Sequence, residues 1–239
     1  MNKDQEMNKD QEFENYLSIS NNKFGIYLFD VKNLKSLYKE ELIINKKVNF
    51  IDLKELKKFL DNNIFKIEKL SGKFVKNISL IFEDEKNLDI EIGIKKKNYN
   101  TSGTKRCLEN LLVEAKDLFR ETYQNQKIMH MLINKYYLNE KSYSSFDENL
   151  NSDYLAVEIQ FKAISDSKIY DLNKILENYQ IKIRKYIDGA YIKTFFGNDM
   201  ELAEMSHRIL SGHNENEVRF VAKNTKKLGF FEKFFQLFS

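Results

Sequence analysis

The chain has 239 residues, 42% of them apolar and 31% charged, with a net charge of +3. That is enough chain to bury a substantial core, in one large domain or two small ones, and its balance of charge argues against disorder and against nucleic acid as a partner. A single cysteine, Cys107, excludes an internal disulfide, and no apolar run approaches the roughly 18 residues of a spanning helix.

Residues 1–12 repeat MNKDQE in tandem, a polar leader expected to be disordered, with Met7 as a second possible start. Residues 24–31 (FGIYLFDV) and 37–44 (LYKEELII) read as strands joined by a short polar turn. Leu53, Leu56, Leu60, Ile64 and Ile67 then recur at the spacing of one helix face, with Asp52 placed to cap the helix and Gly72 to end it. Residues 74–82 are β-rich, and 88–96 alternate strictly, placing Leu88, Ile90, Ile92 and Ile94 on one face. These elements form a first unit, 13–98.

A Gly/Ser/Thr/Asn cluster at 98–104 opens a second unit, 99–197. It begins with a helix that stacks Leu108, Leu111, Leu112, Ala115, Leu118 and Phe119 in one stripe. Strands follow at 127–138 and 154–164, then a helix with Leu172, Ile175, Leu176 and Tyr179 inward, then a strand at 181–187. The order strand, helix, strand, strand, helix, strand predicts an α+β fold with helices packed on a sheet. A last helix near 199–211 stops at Gly212, so 198–225 reads as a helix followed by a polar tether.

Few residues suggest chemistry. His130, His207 and His213 show no metal-ligand spacing with one another or with Cys107, and His130 falls inside a strand, where packing is the simpler role. Glu83, Asp84 and Glu85 read as solvated turn charges. No glycine-rich phosphate loop and no nucleophile elbow is present, and no convergent catalytic set can be assembled, so no enzymatic activity and no metal are expected.

The C-terminal 226–239, KKLGFFEKFFQLFS, carries the strongest signal. At 100° per residue, Leu228, Phe230, Phe231, Phe234, Phe235, Leu237 and Phe238 occupy one half of a helical wheel. Gly229, Glu232, Lys233, Gln236 and Ser239 occupy the other. A helix docked on the protein's own core would satisfy this pattern; so would an in-plane membrane helix. Burying one Phe is worth about 1.5–3 kcal/mol and each lysine near an anionic surface about 1 kcal/mol. The membrane reading is therefore preferred, with Lys226, Lys227 and Lys233 at lipid headgroups.

Several stretches resemble the bacterial cell-division protein FtsA, an actin-like family. The run 114–140 is similar to the family's insert, with Ala115, His130, Leu132, Tyr136 and Leu138 at corresponding places. Residues 154–165 and 171–187 resemble the strand and helix that follow. Residues 59–82 resemble the family's first helix and next strand, with Glu68 and Gly72 in register. Together these cover roughly residues 17–192. The resemblance implies a partial actin-like (ribonuclease H-like) lobe, an inserted strand-helix-strand subdomain at 99–197 that docks other proteins, and a C-terminal amphipathic membrane helix. It also implies the cytoplasmic face of the inner membrane at mid-cell, division-machinery partners associated with FtsA or FtsZ, self-association, and anionic lipids. Against the family's phosphate loop LDIGTSKV, however, Leu17–Phe24 reads LSISNNKF, with Ser18 for the acid, Ser20 for the glycine and Asn21 for the threonine. The second phosphate loop and the family's second half have no counterpart in these residues. A non-catalytic scaffold without a nucleotide cofactor is thus expected; the alternatives are a pilus or secretion platform protein, or an actin-like ATPase half completed by a partner chain.

Overall fold

A computed structural model describes residues 12–44, 51–83, 87–97, 103–139, 141–146, 153–197 and 199–220. Its first sheet begins with an unexpected strand, β1 (Phe13–Ile19), followed by β2 (Lys23–Asp30) and β3 (Lys35–Ile43). β1 shows no sequence alternation because it is buried on both sides. Leu17 and Ile19 face one core, while Tyr16 faces another.

Helix α1 (Leu53–Ser71) forms as its spacing predicts. Asp52 caps it, Oδ1 accepting from the backbone N–H of Lys54 (3.2 Å) and Glu55 (3.1 Å), and Gly72 ends it in a left-handed turn at φ 67°. The helix lays Leu56, Phe59, Leu60, Ile64 and Ile67 on the sheet. Its buried Asn63 bridges to β3 by accepting from the Tyr38 hydroxyl and donating to the Phe59 carbonyl.

The first sheet runs β3-β2-β1-β4-β9, with β4 at Asn77–Phe82 and β9 at Lys182–Asp188. β1, β4 and β9 are parallel, and β2 alone is reversed among the five. α1 and α3 (Asp166–Glu177) cover one face; α4 (Gly189–Phe196) and α5 (Leu202–Leu210) cover the other. Between β4 and α3 a second sheet intervenes, ordered β5-β8-β6-β7. It comprises β5 (Leu88–Lys97), β6 (Gln126–Leu138), β7 (Lys141–Tyr143) and β8 (Tyr154–Ser165), with α2 (Gly103–Thr122) packed on one face. Phe119 stacks on Phe161 at 4.7 Å between ring centroids beneath that helix.

This arrangement corrects the expected units 13–98 and 99–197. β5 pairs with β8 across ten residues and so belongs to the inserted sheet, whereas β9 pairs in parallel with β4 and completes the first sheet. α3 packs on α1 and β9, so the insert runs from β5 to β8 and the first sheet is five-stranded. The expected tether is corrected in part as well. Through Phe220 the segment after α5 is tied down, because the Ile133 N–H donates to the Asn216 carbonyl (2.9 Å) and the Val218 N–H to the Met131 carbonyl (2.8 Å). The leader 1–11 and the tail 221–239 lie outside the described residues.

Candidate functional site

Open sheets of this kind present their binding positions at the carboxyl ends of parallel strands. Here those ends are Ile19, Phe82 and Asp188, which lie side by side because β1, β4 and β9 are adjacent and parallel.

At the end of β1 the expected phosphate-loop position is a closed hairpin turn. The Ser20 N–H donates to the Lys23 carbonyl (2.9 Å), and the Ser20 hydroxyl has both Asn22 Oδ1 (3.0 Å) and that carbonyl (3.2 Å) within reach. Asn22 in turn accepts from the Ile44 N–H at 2.7 Å, and the half-buried Asn21 completes the turn. Ser18 is fully buried. Its Oγ and the Tyr27 hydroxyl converge over Gly25, where an added Cβ would lie 2.6 Å and 2.7 Å from them. Tyr27 donates to Glu41 Oε1 (2.9 Å), and burial, reinforced by that carboxylate, pushes its hydroxyl well above the usual tyrosine range.

At the end of β4, Glu83 donates its N–H to the Ile19 carbonyl (3.0 Å) and pairs its carboxylate with Lys193 of α4. Gly189 passes so close that a Cβ there would sit 3.0 Å from both the Phe82 carbonyl oxygen and Glu83 Cγ. At the end of β9, the buried Asp188 caps α4 by accepting from the Tyr191 N–H (2.8 Å) and also accepts from Asn87 Nδ2 (3.3 Å).

His130 joins these ends to the rest of the molecule. Its Nε2 accepts the Asp188 backbone N–H at 2.9 Å, which requires Nε2 to be unprotonated. Nδ1 therefore carries the proton and donates it to Glu217 Oε1 at 2.8 Å. The two side chains are only 1% and 8% exposed. Tyr191 packs against the imidazole at 4.7 Å, accepts from Asn214 Nδ2 (2.7 Å) and reaches Glu217 Oε2 (3.4 Å). Burial holds its hydroxyl above the usual range. One histidine of the insert thus ties together a first-sheet strand end and the segment that leads to the tail.

The cluster is a closed internal network rather than an open ligand cradle. Among the described residues no three metal-ligating side chains converge. Sequence reading placed His130 in a strand but missed Asp188, Tyr191 and Glu217. The order strand, Asp188, Gly189, helix is a capping signal that could have found the first, whereas Glu217, 87 residues from His130, has no local signal. The structure brings Ser18, Ser20 and Asn21 together around one turn. Lys226, Lys227, Leu228, Phe230, Phe231, Lys233, Phe234, Phe235, Leu237 and Phe238 lie outside the described residues. Among the described residues no helix is long and apolar enough to cross a membrane.

No family model and no curated protein matches the chain. Similar solved structures include a chain of the PilM–PilN type IV pilus biogenesis complex, at 9% identity and a TM-score of 0.45, covering 76% of this chain and 49% of that one. The cytoplasmic domain of EpsL, an inner-membrane component of the Vibrio cholerae type II secretion system, is 7% identical with a TM-score of 0.39, covering 75% and 58%. A Bacteroides thetaiotaomicron protein described as having an actin-like ATPase fold is 15% identical with a TM-score of 0.32, covering 78% and 56%. The chain therefore spans about half the length of the solved structures it resembles.

Proposed function

We propose that this protein is a non-catalytic docking module of an assembly on the cytoplasmic face of a bacterial inner membrane, built on an actin-like lobe. The observation that carries the reading is the closed β1–β2 turn. A phosphate loop needs free backbone N–H groups and a glycine that lets them approach the anion. Here the Ser20 N–H is already bonded to the Lys23 carbonyl, and a buried Ser18 stands where the family's magnesium-binding carboxylate would be. Neither ATP binding nor hydrolysis is expected of such a lobe.

The inserted sheet supplies a surface for a protein partner. α2 covers one of its faces, leaving the other, with Glu158, Gln160 and Asp89, only partly covered. The amphipathic pattern of 226–239 supplies the membrane contact. In sequence the chain resembles the division scaffold FtsA; two of the similar structures come from type IV pilus biogenesis and type II secretion. A pilus or secretion platform is therefore the first assembly to test and a division scaffold the second, and an affinity-tagged chain probed for defined components of each separates them.

Two measurements test the shared core of the proposal. Co-sedimentation with vesicles containing anionic phospholipid is expected for the full chain and lost on deleting 226–239; persistent binding of the deleted form refutes membrane attachment by the tail. Isothermal titration with Mg-ATP is expected to give no binding heat, and tight binding would overturn the non-nucleotide reading.

A further inference from the structure

Four strands lie at sheet edges: β3 and β9 in the first sheet, β5 and β7 in the second. Exposed edges invite pairing with another chain and are ordinarily blunted by irregularity, shortness or charged side chains. The β2–β3 and β4–β9 ladders each contain a register shift, and β7 pairs over only three residues. β5 is neither irregular nor short, so its charges alone decide which strand it can accept. It pairs with β8 in unbroken register from Leu88↔Ala163 to Lys97↔Tyr154, and among the described residues no strand pairs with its outer edge.

The side chains of β5 indicate what could fit there. On one face Ile90, Ile92 and Ile94 are half-buried against the α2 core. The other face reads Asp89, Glu91, Gly93, Lys95, Lys97, all exposed. That order is self-complementary when reversed. With Gly93 set opposite Gly93 of an antiparallel copy, Asp89 faces the copy's Lys97, Glu91 faces its Lys95, and Ile92 faces its Ile94. Directly opposed residues of antiparallel strands lie on the same side of the sheet, so the two Ile92–Ile94 pairs meet on the α2 side, flanked by Ile90 opposite the copy's Lys96, which pairs with Glu114 of α2. A parallel copy in register would set like charges against each other.

We propose that β5 is a homodimerisation edge that pairs two copies of this chain antiparallel about Gly93, joining their inserted sheets into one eight-stranded sheet with two-fold symmetry. The interface is isologous and closes on itself, so it limits assembly to two copies. Both α2 helices then lie on the same side of the joined sheet.

The test is sedimentation equilibrium of the full chain over a micromolar concentration series, with Glu91→Lys, Lys95→Glu, the double variant and an equimolar mixture of the two single variants. Wild type is expected to show a monomer–dimer equilibrium. Each single substitution sets two like-charged pairs across the interface and weakens dimerisation by about tenfold or more. The double variant, and the mixture of the two single variants as a heterodimer, recover wild-type affinity. Both residues are exposed, and the circular dichroism of each variant should be unchanged. A wild type that stays monomeric throughout overturns the proposal. So do single variants that dimerise as tightly as wild type, or a mixture that associates no better than either single variant alone.

Discussion

Replacing Glu217 with alanine tests whether the segment after α5 is fastened to the insert through His130. The substitution removes the acceptor for the His130 Nδ1–H at 2.8 Å and for the Tyr191 hydroxyl at 3.4 Å, leaving the histidine donor unpaired at 1% exposure. An orphaned buried donor costs about 1–3 kcal/mol, a large share of the 5–15 kcal/mol that stabilises a typical domain. Glutamine at the same position keeps an acceptor oxygen for Nδ1–H and should cost about 1 kcal/mol or less. His130→Ala should be worst, because it orphans the Asp188 N–H and removes the 2.8 Å donor from the buried Glu217 carboxylate at once; each such loss costs about 1–3 kcal/mol. Urea unfolding at constant m-value reads the order of the three variants. Hydrogen exchange at the Ile133 and Val218 amides reads the fastening itself, since both donate across the junction. If Glu217→Ala and Glu217→Gln both fall within about 0.5 kcal/mol of wild type, with exchange at those amides unchanged, the buried network is not what holds this segment.

Gly25→Ala should destabilise by about 1–3 kcal/mol through overpacking, because its Cβ would lie 2.6 Å from Ser18 Oγ. Adding Ser18→Ala should recover part of that loss, and a strictly additive double-mutant cycle would contradict the contact. Glu14 makes the fold acid-sensitive. Burial raises its carboxyl, but hydrogen bonds from His207 and Tyr16 and the positive charges of His207 and Arg184 outweigh that, holding it below its ordinary 4.5. A depressed carboxylate stabilises the fold above its unfolded value and loses that contribution as pH falls through the folded one. Wild type should therefore lose stability below about pH 4.5 more steeply than Glu14→Gln, and parallel profiles would remove Glu14 as the source. Phe119→Ala should cost about 3–5 kcal/mol, since the ring is fully buried and stacked on Phe161. Near-UV circular dichroism and thermal melting would register a loosened insert, and an unchanged melt would contradict the packing.

How much could be read from the residues alone depended on the range of the forces involved. α1 was legible from Asp52 to Gly72 because capping and the 3.6-residue period act within a few residues. The alternation of β5 and β8 was legible for the same reason, each having one face on α2 and one toward solvent. β1 was not, since a strand buried on both sides has no alternation to read. α4 passed unnoticed because it is short and follows β9 directly. Ser18, Ser20 and Asn21 could be singled out in the sequence, but not the closed turn in which the Ser20 N–H bonds to the Lys23 carbonyl.

Local pattern set the type and inward face of most elements, and it singled out the one-sided tail. It could not say which strand pairs with which. The isoleucines of β9 suit either sheet, and only competition for the edge of β4 places them in the first. The same holds for His130, whose partners Asp188 and Glu217 stand 58 and 87 residues away along the chain. Such pairings arise when several elements exclude water together, and no short window of sequence contains more than one side of them.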